Sequence, residues 1–135
     1  MMKEIILPKR PAILIADDDD FMLMTLSTFL KKNGYGVIEA KEGKSALRLF
    51  SKTLPNLVIL DVSMPYLDGL LTYQAIRHCQ GGAHVPILMV TGLTDDDFIQ
   101  RIVELGVWDY LTKPIHWSKL KQRIQQLIQY PSVPN

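Results

Sequence analysis

Cysteine occurs once in the 135 residues, at Cys79. A lone thiol cannot close an internal disulfide, so the fold must stand on its apolar core, and a reducing cytoplasm is the expected setting. No second cysteine or metal-ligand spacing accompanies it, so the expected role is a packed or half-exposed thiol near a helix end. An excess of one charge is missing too: the net charge of +1 offers no electrostatic argument for nucleic acid. No apolar run nears the ~20 residues that span a bilayer, and the apolar run near the amino terminus, Ile5-Ile6-Leu7, is too short for a signal peptide. The expectation is a soluble, cytoplasmic protein with neither membrane nor direct nucleic-acid contacts. His78, His84 and His116 lie apart without ligand spacing, which argues against a histidine-built metal site.

What is present is ordinary bulk with uneven detail. Hydrophobic residues make up 47% and charged residues 21%, as in soluble globular domains. The length suits one domain that buries about two-thirds of its unfolded surface. Apolar strand-like runs at Ala12–Ala16, Gly36–Ala40, Leu57–Asp61, Pro86–Thr91 and Trp108–Leu111 alternate with helical patterns, which argues for βαβ units and a parallel sheet. The first, third and fourth runs are continuously apolar, as inner strands covered on both faces should be; the second and fifth read as edges.

The intervening helices carry apolar faces at Phe21, Met24, Leu26, Phe29 and Leu30; at Ala46, Leu47, Leu49 and Phe50; and at Leu70, Leu71, Tyr73, Ala75 and Ile76. The last two show Phe98, Ile99, Ile102, Val103 and Leu105, then Leu120, Ile124, Leu127 and Ile128. Asn33-Gly34, Gly81-Gly82 and Gly106 are the expected terminators. Strict alternation favours a doubly wound α/β fold, a five-stranded parallel sheet in a three-layer sandwich. The order 2-1-3-4-5 is borrowed from flavodoxin-like folds, in which ligands bind beyond the carboxyl ends of the strands. Residues 1–11 and 130–135 read as a flexible extension and a tail or linker start around a domain at 12–129.

Four of these strand ends deliver chemistry. Asp17-Asp18-Asp19-Asp20 follows the first strand, Asp61 ends the third, Thr91 ends the fourth, and Lys113-Pro114 follows the fifth. Magnesium takes hard oxygen ligands and keeps several waters, so two or three carboxylates suffice. A carboxylate can accept a phosphoryl group when a cation neutralises the charge, and a hydroxyl and an ammonium suit the phosphoryl oxygens. Asp19 and Asp20 read more simply as acids at a helix N-terminus, and Asp68-Gly69 as a turn with a cap. Lys113-Pro114 is a candidate cis peptide. Lys119, Lys121 and Arg123 read as a solvated helix face, and Trp108 as core or a docking aromatic.

Ile-Leu-Ile-Ala-Asp-Asp-Asp at 13–19, Leu-Asp-Val-Ser-Met-Pro at 60–65 with Asp68-Gly69, Val-Thr-Gly at 90–92 and Tyr-Leu-Thr-Lys-Pro at 110–114 resemble, in order and spacing, the receiver domains of two-component response regulators (CheY-like). The resemblance runs from about Ala12 to Gln129. It implies that Asp61 accepts phosphoryl from a sensor histidine kinase or phosphotransfer protein. Asp17, Asp18, Asp61 and the backbone carbonyl of Ser63 would hold Mg2+, and Thr91 and Lys113 would bind the phosphoryl oxygens. Thr91 with Tyr110 would switch the face made by the fourth helix, fifth strand and fifth helix, which would control an output domain or partner and is a common dimer surface. Such a domain is not a turnover enzyme; it catalyses only its own phosphorylation and dephosphorylation.

Residues 81–86, 90–96 and 112–117 further resemble receivers that precede cyclic-di-GMP synthesis or hydrolysis (GGDEF/EAL) domains. Asp20, Ser63, Leu93 and Val107-Trp108 depart from the common pattern without removing a required group. Two alternatives stand beside this reading. An aspartate-nucleophile phosphatase would carry an acid two residues beyond Asp61, where Ser63 stands. A phosphorylation-independent scaffold of the same fold would not need the full set of acids, Thr91 and Lys113.

Overall fold

The computed structural model describes residues 10–62, 68–92, 96–107 and 109–128, with backbone only at 96–98. The elements are β1 (Ala12–Ala16), α1 (Asp20–Lys32), β2 (Gly36–Ala40), α2 (Gly43–Thr53), β3 (Leu57–Asp61), α3 (Gly69–Arg77), β4 (Ile87–Thr91), α4 (Asp96–Glu104), β5 (Asp109–Thr112) and α5 (Trp117–Leu127). All pairings are parallel and the order is β2-β1-β3-β4-β5. The expected doubly wound sheet is therefore present, with β3 and β4 buried throughout and the edge strands β2 and β5 half-buried for most of their length.

Side chains alternate across a strand, and the two cores follow that period. Ile13, Ile15, Leu57, Ile59, Leu88 and Val90 pack with Leu23, Leu26 and Leu30 of α1 and Leu120 and Ile124 of α5. Leu14, Ala16, Val58, Leu60 and Met89 pack on the opposite face with α2, α3 and Ile102 of α4. An inner strand apolar at every position is what two helical layers require.

Local chemistry sets the helix ends. Asp19 caps α1, accepting from the backbone N–H groups of Phe21 and Met22, and Asp68 caps α3 by accepting from Leu71 N–H at 2.9 Å. Gly34, at φ +91, follows the α1 cap Asn33. Gly106, at φ +81, lies just beyond α4.

Several boundaries and faces differ from expectation. α3 ends at Arg77 with His78 as its cap, short of Gly81-Gly82. The glycines instead fold the chain back over the helix end, where a Cβ on Gly82 would stand 1.7 Å from the Ile76 carbonyl oxygen. β4 starts at Ile87, and Pro86, which has no N–H to give, contributes only its carbonyl to Val58 N–H. β5 is Asp109–Thr112, one residue later than expected, and Trp108 lies outside the described residues.

The buried face of α1 is Leu23, Leu26, Ser27 and Leu30, while Phe21 and Met24 are 68% and 59% exposed. Leu71 and Val103 likewise face outward, and the Phe98 side chain lies outside the described residues. Arg123 is no solvated bystander: it is half-buried and holds Asp109 at 2.9 Å, tying α5 to β5. Pro11 is buried, and its carbonyl accepts from Gly36 N–H at 2.9 Å. Residues 1–9 and 129–135 lie outside the described residues. Cys79 is half-buried just beyond α3, packed against the core.

Candidate functional site

Register brings the chemistry together. Ala16 sits opposite Leu60, Asp61 opposite Val90, and Thr91 opposite Thr112, so β1, β3, β4 and β5 end at one edge. The edge lies where the sheet winding reverses between β1 and β3, the place where open α/β sheets form a crevice.

Asp17 and Asp61 are only 2% and 4% exposed, whereas Asp18 is exposed. Carboxylate oxygens of the three lie within 4.8 Å of one another. Lys113 Nζ reaches over both buried acids, 3.5 Å from Asp17 Oδ2 and 3.3 Å from Asp61 Oδ1. Asp17 Oδ1 accepts from the Asp19 backbone N–H at 2.9 Å. Burial opposes the charge on Lys113, but the attraction of Asp61 and Asp17 and their hydrogen bonds outweigh it, and the pKa is raised above the ordinary lysine value.

Three carboxylates against one ammonium leave a formal excess of two negative charges. Hard oxygen donors converging with that excess fit a divalent cation of the magnesium kind. Asp17, Asp18 and Asp61 could hold it, with water completing the shell. Ser63 lies outside the described residues.

Thr91 is buried at the end of β4, and its carbonyl accepts from Lys113 N–H at 2.8 Å. That bond places the residue bearing the ammonium directly beside the residue bearing the hydroxyl. The Lys113-Pro114 peptide is cis. Tyr110 pairs with Met89 and packs against the core on the α2–α3 face. Thr91, two residues beyond Met89, points to that same face by the strand period.

Of the remaining acids, Asp19 turns its carboxylate to the α1 N-terminus and Asp20 pairs with Lys41 at 2.6 Å. Leu93 lies outside the described residues. Gly69 is a functional neighbour that the Asp-Gly turn signal only half revealed. A Cβ there would stand 2.4 Å from the Asp61 carbonyl oxygen, and its N–H donates to the Val62 carbonyl at 2.9 Å. No motif rule anticipates this, because the contact is made across the end of β3.

Fold and cleft together define an open α/β domain of the flavodoxin type with an acid-lined crevice at its switch point. The chain belongs to the response regulator receiver domain family, whose description matches residues 13–125. It is 44% identical over 121 residues to the "Probable transcriptional regulator ycf27" of Galdieria sulphuraria, covering 88% of this chain and 46% of that protein. It is 35% identical over 117 residues to the alkaline phosphatase synthesis transcriptional regulatory protein PhoP of Bacillus subtilis, covering 86% and 48%. The chain thus spans about half the length of the curated relatives it matches.

Among solved structures, the chemotaxis protein CheY4 of Vibrio cholerae superposes with a TM-score of 0.82 at 29% identity, covering 87% of this chain and 98% of that one. The receiver domain of the sensor histidine kinase PA1611 from Pseudomonas aeruginosa does so with a TM-score of 0.83 at 26% identity, covering 90% and 99%. That neighbour has a magnesium ion coordinated in its active site cleft. No helix among the described residues is long and apolar enough to cross a membrane.

Proposed function

We propose that this receiver domain is a Mg2+-dependent phosphoacceptor in which Asp61 takes a phosphoryl group from a sensor histidine kinase or phosphotransfer protein. One observation carries the reading: buried Asp61 lies 3.3 Å from Lys113 Nζ, with Asp17 and Asp18 oxygens alongside. An Asp61 oxygen would attack phosphorus as the bond to the donor nitrogen breaks, and the leaving imidazole keeps that electron pair. Mg2+, when bound by Asp17, Asp18 and Asp61, supplies charge neutralisation. Lys113 then exchanges part of its carboxylate contact for a phosphoryl oxygen, and Thr91 offers its hydroxyl to another. The domain turns over no separate substrate.

The test is labelling with acetyl phosphate, with and without Mg2+. Label should accumulate only with the metal, and equal labelling in excess chelator would sink the proposal.

Thr91 and Tyr110 share one face of the sheet beside α4 and β5, which favours them as the relay from the cleft to the α4-β5-α5 surface. That surface would then meet the output partner or a second copy of the chain. Lys113→Ala should still take up phosphoryl while losing most of the conformational response. The measurement compares amide exchange in α4 and β5 before and after phosphorylation. A response equal to the parent's would refute the coupling role.

The named relatives are transcriptional regulators, which favours transcription over cyclic-di-GMP turnover as the controlled output. Nucleic-acid contact would then belong to an output domain. The absence of a charge excess, with a net charge of +1, agrees with that division.

A further inference from the structure

Asp19 looks away from the crevice yet holds one of its ligands. Its Oδ1 accepts from Phe21 N–H at 2.9 Å and Met22 N–H at 3.4 Å, so its carboxylate is engaged with the first turn of α1. The same residue's own N–H donates to Asp17 Oδ1 at 2.9 Å. Asp17 Oδ2 faces Lys113 Nζ at 3.5 Å. The Asp17 carboxylate is thus gripped at both oxygens, while its side chain is buried beside Asp61 and converges with Asp18.

We propose that Asp19 is a positioning residue for the metal ligand Asp17, an inference that rests on the Mg2+ reading above. The physical chain is short. Leu23, Leu26 and Leu30 lock α1 into the core. The Asp19 cap fixes the extended backbone of Asp19, at φ −88 and ψ 114, against that helix. The fixed backbone aims the Asp19 N–H at Asp17. The ligand is therefore oriented before the cation arrives, and binding need not include the cost of ordering it.

A rival account makes Asp19 a source of negative field, and capping residues without charge separate the two. Ser and Asn cap as well as Asp, so Asp19→Ser and Asp19→Asn keep the cap that fixes the residue-19 backbone and lose the charge. Asp19→Ala loses both cap and charge, and leaves the backbone N–H that meets Asp17 without its anchor to α1. Asp20→Asn removes a neighbouring acid that is paired with Lys41 and lies outside the converging set of Asp17, Asp18 and Asp61.

The full chain, stripped of metal, is titrated with Mg2+ by calorimetry, and exchange of the residue-19 amide is followed in the metal-free state. Asp19→Ala should weaken Mg2+ binding about tenfold and speed exchange of that amide. The Ser, Asn and Asp20→Asn variants should stay within about twofold of the parent on both measures. Ser and Asn variants as weak as Ala would overturn the proposal in favour of the field. A parent that binds Mg2+ while Asp19→Ala binds equally well overturns this inference alone. A parent that binds none at millimolar concentration overturns the metal reading and this inference with it.

Discussion

Asp61→Asn should reduce acetyl phosphate labelling to background while leaving the fold intact. The amide conserves shape but is no nucleophile towards phosphorus. It also removes one of the three converging carboxylates and with it half of the formal charge excess that favours a divalent cation, from two to one. Lys113 keeps Asp17 as a partner at 3.5 Å, so no buried charge is stranded. The measurement is radiolabel or intact mass after incubation with the phosphodonor and Mg2+, with far-ultraviolet circular dichroism as the folding control. Label at the parent's level in a folded variant would remove Asp61 from the mechanism. A phosphorylation-independent scaffold predicts something else, namely no label in the parent either.

Gly69→Ala should both destabilise the domain and impair the cleft. The added Cβ would meet backbone, not a yielding side chain: 2.4 Å from the Asp61 carbonyl oxygen and 2.6 Å from Val62 Cα. Either α3 moves off the end of β3 or the Asp61–Val62 backbone shifts, and the Gly69 N–H bond to Val62 lengthens in either case. Overpacking of this kind costs about 1–3 kcal/mol. For a domain of this size each kcal/mol lowers Tm by roughly 2–8 °C. Because the crowded atoms belong to Asp61 and Val62, phosphoryl uptake should slow even at temperatures where the variant is fully folded. A thermal melt and a labelling time course check the two parts. Parent-like behaviour in both would show that the close approach carries no consequence.

The difference between Gly69 and Asp61 shows what a linear reading can reach. Asp17 is legible because a charge directly after an apolar strand is expensive unless used, and Asp61, which alone would read as a cap or turn acid, because Asp17, Thr91 and Lys113 end or follow other strands beside it. Asp19 and Asp68 are legible as caps because the motif is local, spanning a few residues. The inner and edge strands are legible from continuous against broken apolarity. Face and partner are harder. Phe21 and Met24 have the right spacing for a core stripe on α1, yet Leu23, Leu26 and Leu30 are the buried set. Periodicity defines a helix's stripe only to within a residue or so, and docking on the sheet settles its rotation. Arg123 reads as one of several solvated bases, because its partner Asp109 lies 14 residues away on β5.

From sequence alone, then, came the strand–helix alternation, the caps and the set of strand-end residues, since each depends on neighbours along the chain. The parallel register was a tertiary outcome. It levels the ends of β1 and β3 so that Asp17 and Asp61 share one lysine from the end of β5. Such contacts are made between segments far apart in the chain, where packing distance, and not local pattern, decides which atoms meet.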